Sequence, residues 1–417
     1  MQKTVRSGAP VAFYPKSCYT VWYRFLPQAF CGAPAVVSRA GENRMQKKQP
    51  PIMVTRPSLP PVEEYEALVR EIFESHYLTN GGEQHQKLEA ALAGKLEAPY
   101  LRLFTNGHLA LEGALSAFGF SGGEVLTTPF TFISTAHAIS RVGLTPVFCD
   151  VEPDYFTLDP AQLEARITPK TRLILPVHVY GNPCNVEAIE SIAKRHGLPV
   201  LYDAAHAFGV TLNGRSIACY GDVAMFSFHA TKCFHTIEGG AVACRDAEFA
   251  ERLNSYKNFG YHPDEEIREI GGNAKMTEFQ AAMGLINLKY FDREIEKRAL
   301  VSARYRKNLA GIGGLSFRPM PEGVKPNYAY LPVTVDPEAF GCTRDEVFDA
   351  LKQYEIYARK YFYPIASAAA CYRDRFRPEN TPIALAASER VLTLPMYADL
   401  ALADVDDICE IVASCKR

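Results

Sequence analysis

An α/β fold, with a mostly parallel central sheet flanked by helices and a smaller C-terminal α+β domain, is predicted by three features of this sequence. Short β-rich runs alternate with helical ones between residues 100 and 229, the order that builds βαβ units. The helical stretches carry apolar residues at helical spacing, as Val186, Ile189 and Ala193 do within Val186–His196. With 417 residues, 47% of them hydrophobic and 22% charged, the chain has globular composition and is long enough for two domains.

Residues 1–50 stand apart from this pattern. Eight cations (Lys3, Arg6, Lys16, Arg24, Arg39, Arg44, Lys47 and Lys48) face one acid, Glu42. The compact apolar core and small-residue cleavage pattern of a secretory signal are missing, so the segment is read as a poorly ordered basic extension. Pro50-Pro51 closes it, and Met45 or Met53 is an alternative start. Over the whole chain 45 basic residues balance 47 acidic ones, which gives no reason to expect a nucleic-acid partner. No apolar run reaches membrane-spanning length, and no membrane association is expected. The 11 cysteines are scattered, odd in number and without Cys-x-x-Cys spacing, which suits reduced thiols in a cytoplasmic protein.

A large domain is expected over 51–291 and a small one over 292–417. The first helix is read over Val62–Ser75, ahead of a glycine turn at Asn80-Gly81-Gly82. The β-rich runs follow at 100–104, 124–128, 146–151, 172–180, 199–203 and 223–229. In parallel sheets of this kind ligands bind beyond the carboxyl ends of the strands, so candidate site residues are expected at those ends.

The first strand ends in Thr105-Asn106-Gly107-His108, before a helix whose small residues Ala110, Gly113, Ala114 and Ala117 share one face. Small residues let that helix lie close on the sheet, and its free N–H groups suit a phosphate; an ordinary tight turn reads the same way. No Gly-x-Gly-x-x-Gly or Walker sequence is present, which argues against a dinucleotide or ATP site. The next loop, 128–134, brings Phe130 and Phe132, either of which can stack on a flat ring or pack in the core.

Asp203 ends the apolar run 199–203. An ionised carboxylate there needs a partner, either a protonated pyridine nitrogen or the start of the following helix. His206 lies one helical turn on. In the run 226–232, strand alternation puts Ser227 and His229 on one face and Phe226 and Phe228 on the other, just before Lys232. A lysine amine buried among apolar neighbours has a lowered pKa or forms an imine with a bound aldehyde, whereas a surface lysine after a core strand does neither.

Taken together, 226–232 with Glu238-Gly239-Gly240, the Asp203-Ala-Ala-His206 block, the run Pro-Val-His-Val-Tyr-Gly-Asn-Pro at 176–183, and Gly272-Asn273-Ala274-Lys275-Met276-Thr277-Glu278 resemble the DegT/DnrJ/EryC1/StrS family. These are fold-type-I, pyridoxal-phosphate-dependent nucleotide-sugar aminotransferases. The resemblance extends from about residue 54 to the end.

It implies pyridoxal 5'-phosphate (PLP) as cofactor, with Lys232 as the Schiff-base lysine and proton shuttle. Asp203 is implied as the acid on the pyridine nitrogen, Phe132 as the stacking aromatic, His206 as a neighbour of the ring and Ser227 as a phosphate ligand. Asn273 is implied to reach the phosphate of a neighbouring subunit, so a homodimer with shared active sites is expected. Where the family has Asn-Gly-Thr or Asn-Gly-Ser, this chain has Gly107-His108. That change keeps the backbone contacts to phosphate and removes a hydroxyl.

In the small domain Thr343-Arg344-Asp345-Glu346 reads as a capping box ahead of Val347, Leu351 and Tyr354 on one helical face. The run 357–364 that follows is dense in cations and aromatics. It reads as a diphosphate and ring site or as an amphipathic strand, and the resemblance implies substrate contact by Arg359, Lys360 and Tyr361. The last helix, with Val405, Ile408, Cys409 and Val412 on one face, is expected to be structural.

Three activities follow from the resemblance. The first is transamination from glutamate onto a nucleotide-linked keto-sugar, most similar to members acting at C4 of a dTDP-4-keto-6-deoxyhexose for surface polysaccharide. The second is sugar deoxygenation, against which Lys232 speaks, since the related dehydratases carry histidine there. The third is a non-catalytic regulatory protein on the same fold.

Overall fold

The computed structural model describes residues 46–417. Most of the expected basic extension, 1–45, lies outside the described residues. Of its remainder, Lys48 donates to Asp404 at 2.7 Å and also to Asp407, which ties this part of the chain to the last helix, Leu402–Ser414.

Tyr100–Phe104, Gly240–Cys244, Val223–Ser227 and Leu201–Asp203 lie side by side in that order, and Thr145–Phe148, Glu124–Thr127 and Thr171–Ile174 form a second set. Parallel bridges from Ile174 to Val200 and from Val177 to Asp203 join the two sets. Gly240–Cys244 runs antiparallel to both its neighbours, and the other strand pairs are parallel. The mostly parallel sheet is therefore present.

Strand alternation sends this sheet's side chains into two cores. Leu101, Leu103, Ala224, Phe226, Ala241 and Ala243 pack on one side, while Phe104, Val223, Met225, Val242 and Cys244 pack on the other. Both faces are apolar because helices cover both. The helix Gly107–Ala117 lies close on the sheet, and a Cβ at Gly113 would stand 2.8 Å from the Phe104 ring.

Several strands are shorter than the β-rich runs that announced them. The run expected over 172–180 is a strand only over Thr171–Ile174, and Val179–Gly181 is a 3₁₀ turn. Pro176 has no N–H to continue the ladder, although its carbonyl still accepts from Asp203 N at 2.9 Å. Gly240–Cys244 did not announce itself as a strand, because Gly-Ala-Val-Ala-Cys has little β propensity. Gly240 is there for space: a Cβ would lie 2.7 Å from the Asn106 carbonyl oxygen and 2.8 Å from Gly107 Cα.

A helix of 31 residues, Glu278–Asn308, leaves this sheet. Thr277 and Gln280 close a capping box at its start. Its early part places Phe291 in the first core and its later part places Val301 and Tyr305 in another. The expected division at residue 291 falls within this helix.

The C-terminal core packs on an antiparallel sheet of Leu315–Phe317, Leu331–Val335 and Val391–Leu394. The Thr343–Glu346 capping box starts the helix Arg344–Gln353, and Val347 and Leu351 are buried. Val405, Ile408, Cys409 and Val412 of the last helix are buried in the same core. Ile52–Met53 pairs in parallel with Ile356–Tyr357, so the described N-terminal segment belongs to this core. Beyond Tyr357 the cation-rich run leaves regular structure. No helix among the described residues is long and apolar enough to cross a membrane.

Candidate active site

Asp203 sits at the carboxyl end of Leu201–Asp203 with 5% of its surface exposed. Its Oδ2 accepts from the Thr135 hydroxyl at 2.8 Å and its Oδ1 from the Ala205 N–H at 3.1 Å. Thr131 and Thr135 hydroxyls are 2.8 Å apart. Because the single proton of Thr135 goes to Asp203, Thr131 donates to Thr135. Burial pushes the Asp203 carboxyl pKa up, and Thr135, Ala205 and the charge of Lys232 pull it back.

His206 is buried beside it. Its Nδ1 accepts from the Tyr180 N–H at 3.2 Å, which leaves the proton of the neutral ring on Nε2. Burial drives its pKa well below the usual histidine value, and the charges of Lys232 and Arg359 add to that. The ring lies parallel to Phe362, 5.9 Å between centroids and 2° between planes, and Tyr180 lies parallel to the same Phe362 at 5.9 Å. Asn327 fixes the loop by donating to the His206 and Phe208 carbonyls at 2.8 and 3.0 Å.

Lys232 follows the strand Val223–Ser227 in an irregular turn, with its N–H on the His229 carbonyl at 2.9 Å. Its Nζ donates to the Tyr330 hydroxyl at 3.3 Å. The side chain keeps a partial opening to solvent, yet its dense surroundings lower the ammonium pKa, against the pull of Tyr361 and Asp203. Desolvation thus favours the neutral amine, the form that is nucleophilic and basic. His229, expected on the face of Ser227, has its ring 2.8 Å from the Thr231 hydroxyl and 3.4 Å from Glu238.

Gly107 and His108 open the helix Gly107–Ala117 under an Asn106 cap that accepts from Leu109 N at 2.9 Å. The first N–H groups of a helix have no carbonyl of their own helix to bind. Ser227 closes against them: a Cβ at Gly107 would stand 2.8 Å from Ser227 Cβ and 2.9 Å from its Oγ. The two residues form a cradle that any side chain would fill, an arrangement suited to phosphate. His108 points its Nδ1 at Ser134 Oγ, 2.7 Å away, and its Nε2 at Glu112 Oε1, 2.9 Å away.

The run after Tyr357 docks on this group. The Arg359 guanidinium lies 4.3 Å from the Tyr361 ring centroid, and Tyr361 faces His206, Tyr330 and Phe132 at 6.1, 5.6 and 6.4 Å. Tyr180 donates its hydroxyl to the Tyr361 carbonyl. Lys360 lies elsewhere: its Nζ pairs with Asp345 at 2.7 Å over the Phe348 ring. An extended chain alternates its side chains, which separates Lys360 from Arg359 and Tyr361.

Asn273 is exposed, and its neighbour Ala274 accepts from Thr105 N at 2.8 Å, just ahead of the Asn106 cap. The rest of its motif holds the architecture. Glu278 accepts from Gln84 N and His85 N at 2.7 and 3.2 Å, and Gln280 donates to the Thr105 and Glu238 carbonyls at 3.0 and 2.7 Å.

Residues 61–413 match the model of the DegT/DnrJ/EryC1/StrS aminotransferase family. The chain belongs to this family. It is 42% identical over 368 residues to a dTDP-4-amino-4,6-dideoxy-D-glucose transaminase of Shigella dysenteriae, covering 88% of this chain and 98% of that one. Among solved structures it resembles DesI, determined in the presence of its TDP-sugar product, with a TM-score of 0.84 and 34% identity over 88% of this chain and 93% of DesI. It also resembles the PLP form of Spr1654 from Streptococcus pneumoniae, with a TM-score of 0.81 and 25% identity over 88% and 98% of the two chains.

DegT/DnrJ/EryC1/StrS aminotransferases are PLP-dependent enzymes, and the chain is an enzyme of that class. The residues present fit the cofactor: the Gly107–Ser227 cradle has room for a phosphate and no side chain, the buried Asp203 carboxylate would suit a protonated pyridine nitrogen, and the Lys232 amine would suit an aldehyde. Thr135, Asn327 and Tyr330 join this group without having been singled out in the sequence, while Tyr180 and Phe362 belong to the runs 176–183 and 357–364 but carried no role of their own there. Thr135 had a local signal, a hydroxyl in the first turn of the helix Ser134–Arg141. Asn327 and Tyr330 had none, since only folding brings them to His206 and Lys232.

Proposed function

We propose that this chain transfers the amino group of glutamate onto a nucleotide-linked keto-sugar, a dTDP-4-keto-6-deoxyhexose, for surface polysaccharide or deoxyaminosugar synthesis. The reading is carried by one observation: the Lys232 amine, held on the Tyr330 hydroxyl at 3.3 Å, and the buried Asp203 carboxylate, held by Thr135 at 2.8 Å, lie near enough for each charge to favour the other. The names of the Shigella dysenteriae relative and of DesI support a nucleotide-sugar substrate. Lysine at 232 supports amine transfer over deoxygenation.

Bound PLP supplies the carbon that carries nitrogen between the two substrates and the ring that accepts electrons from the reacting carbon. Asp203 keeps the pyridine nitrogen protonated and is itself held by Thr135 and the Ala205 N–H. Gly107 and His108 N–H groups and the Ser227 hydroxyl hold the phosphate. Lys232 takes a proton from the amino-bearing carbon of glutamate and returns one to the sugar carbon that gains nitrogen. Its lowered pKa favours the neutral amine, the form that can take up a proton. The rings of Tyr180, His206, Tyr361 and Phe362 keep water from the reacting side, and Phe132 would offer its ring to the cofactor. Arg359, exposed at the rim, offers its cation to a substrate carboxylate or diphosphate. Lys360 reaches that rim only by leaving Asp345.

We infer a homodimer with shared sites in the cytoplasm. Phe259, Tyr261 and Ile267 are exposed shortly before Asn273, and Ile270 is 98% exposed, an apolar surface that a second copy of the chain covers. Nine free thiols among the described residues support a reducing compartment.

Incubating the protein with glutamate and a panel of nucleotide keto-sugars, while following 2-oxoglutarate, tests the substrate class. The wild type should show a borohydride-sensitive visible band that Lys232→Ala lacks. An intact band with no reaction across the panel removes the substrate assignment.

A further inference from the structure

His108 holds two neighbours at once. Its Nε2 is 2.9 Å from Glu112 Oε1, and its Nδ1 is 2.7 Å from Ser134 Oγ. Glu112 is itself a fixed point, since its side chain is 6% exposed, pairs with Arg141 and stands 3.5 Å from the Tyr256 hydroxyl. Both imidazole nitrogens are therefore occupied by protein groups, and neither is left for a ligand.

The two segments joined through His108 serve opposite ends of the site. Gly107 and His108 begin the helix that meets Ser227 in the phosphate cradle. Ser134 begins the helix whose next residue, Thr135, holds Asp203, and it comes two residues after Phe132. A ligand with a phosphate at one end and a ring at the other gains affinity from both ends only if the spacing between their subsites is held.

We propose that His108 is a positioning residue: braced by Glu112 and bonded to Ser134, it fixes the spacing between the phosphate cradle and the ring-binding segment. The inference rests on the cofactor placement described above. A hydroxyl at this position would contact one end of the cofactor, whereas the imidazole couples the two ends.

The test measures dissociation constants of cofactor-free wild type, His108→Ala, Ser134→Ala and the double variant for three probes. PLP has both ends, pyridoxal has the ring and aldehyde alone, and inorganic phosphate has the anion alone. Each single variant should bind PLP about tenfold more weakly, a difference of about 1.4 kcal/mol. The double variant should lose no more than either single one, because both remove the same link. Pyridoxal and phosphate should bind all four proteins within about twofold of one another, since each occupies one end only. A parallel loss of phosphate affinity would make His108 a direct anion ligand and overturn the proposal. So would unchanged PLP affinity in Ser134→Ala, which leaves the His108–Glu112 pair intact and decides the matter even if His108→Ala does not fold. Failure of wild type to give a borohydride-sensitive band with PLP would instead strike the cofactor placement itself.

Discussion

The amine of Lys232 stands 3.3 Å from the hydroxyl of Tyr330, a residue 98 positions further along the chain. An ammonium donates and cannot accept, so Tyr330 supports the charged form of a lysine whose charge burial disfavours. Burial also raises the pKa of Tyr330 itself, to about 12, which keeps its hydroxyl protonated near neutral pH.

Tyr330→Phe removes that acceptor and should lower the Lys232 pKa further. A hydrogen bond to a charged group contributes about 1.5–3 kcal/mol in favour of that charge, so its loss should move the pKa measurably downward. The pH dependence of Lys232 acylation in cofactor-free protein measures it: the midpoint should move to lower pH. An unmoved or raised midpoint would show that Tyr330 does not carry this role.

Asp203→Asn should reduce transamination by about 100-fold or more, since a fixed charge at the ring nitrogen is lost. Its effect on stability has a defined sign. Burial raises the Asp203 pKa above its ordinary 3.8, so stability held below that value is lost as pH rises through the folded-state pKa. The variant has no such loss. Thermal unfolding of cofactor-free proteins between pH 4 and pH 7 should therefore show the gap moving in favour of the variant as pH rises, and a constant gap would refute the account.

Mixing two inactive proteins tests the shared site. In a mixed dimer of Lys232→Ala and Asn273→Ala, one site carries both lesions and the other carries neither. Unfolding-free subunit exchange should recover about a quarter of wild-type activity at statistical mixing, because half the dimers are mixed and each has one intact site of two. No recovery despite demonstrated exchange would place Asn273 within its own subunit's site, and a fully active Asn273→Ala parent would place it outside any site.

Gly240→Ala should destabilise the protein by about 1–3 kcal/mol and weaken PLP binding, because the added methyl meets the backbone of Asn106 and Gly107 rather than a movable side chain. Denaturant unfolding with and without PLP separates the two effects. Gly94→Ala, where a Cβ meets nothing within 4 Å, is the control and should be neutral or mildly stabilising in its helix.

Much of this was legible in the chain. Helical spacing located Val62–Ser75 and Val186–His196 at their observed bounds, and the Thr343–Glu346 signature marked a helix start that folds as written. Short β-rich runs marked these strands but overran their ends: the run over 172–180 stays apolar past Ile174 because its residues remain buried, although Pro176 stops the ladder. Gly240–Cys244 escaped because its small residues serve close approach rather than sheet propensity.

Local order along the chain determined the alternation of strands and helices, the lysine after a strand and the carboxylate at the end of another, because periodicity and chain direction act between near neighbours. Only the tertiary structure decided that Thr135 grips Asp203, that Tyr330 meets Lys232, that Lys360 turns to Asp345, and that His108 bridges two helix starts. Those relationships depend on which distant segments the packed cores press together, and no spacing within a single run encodes the distance between them.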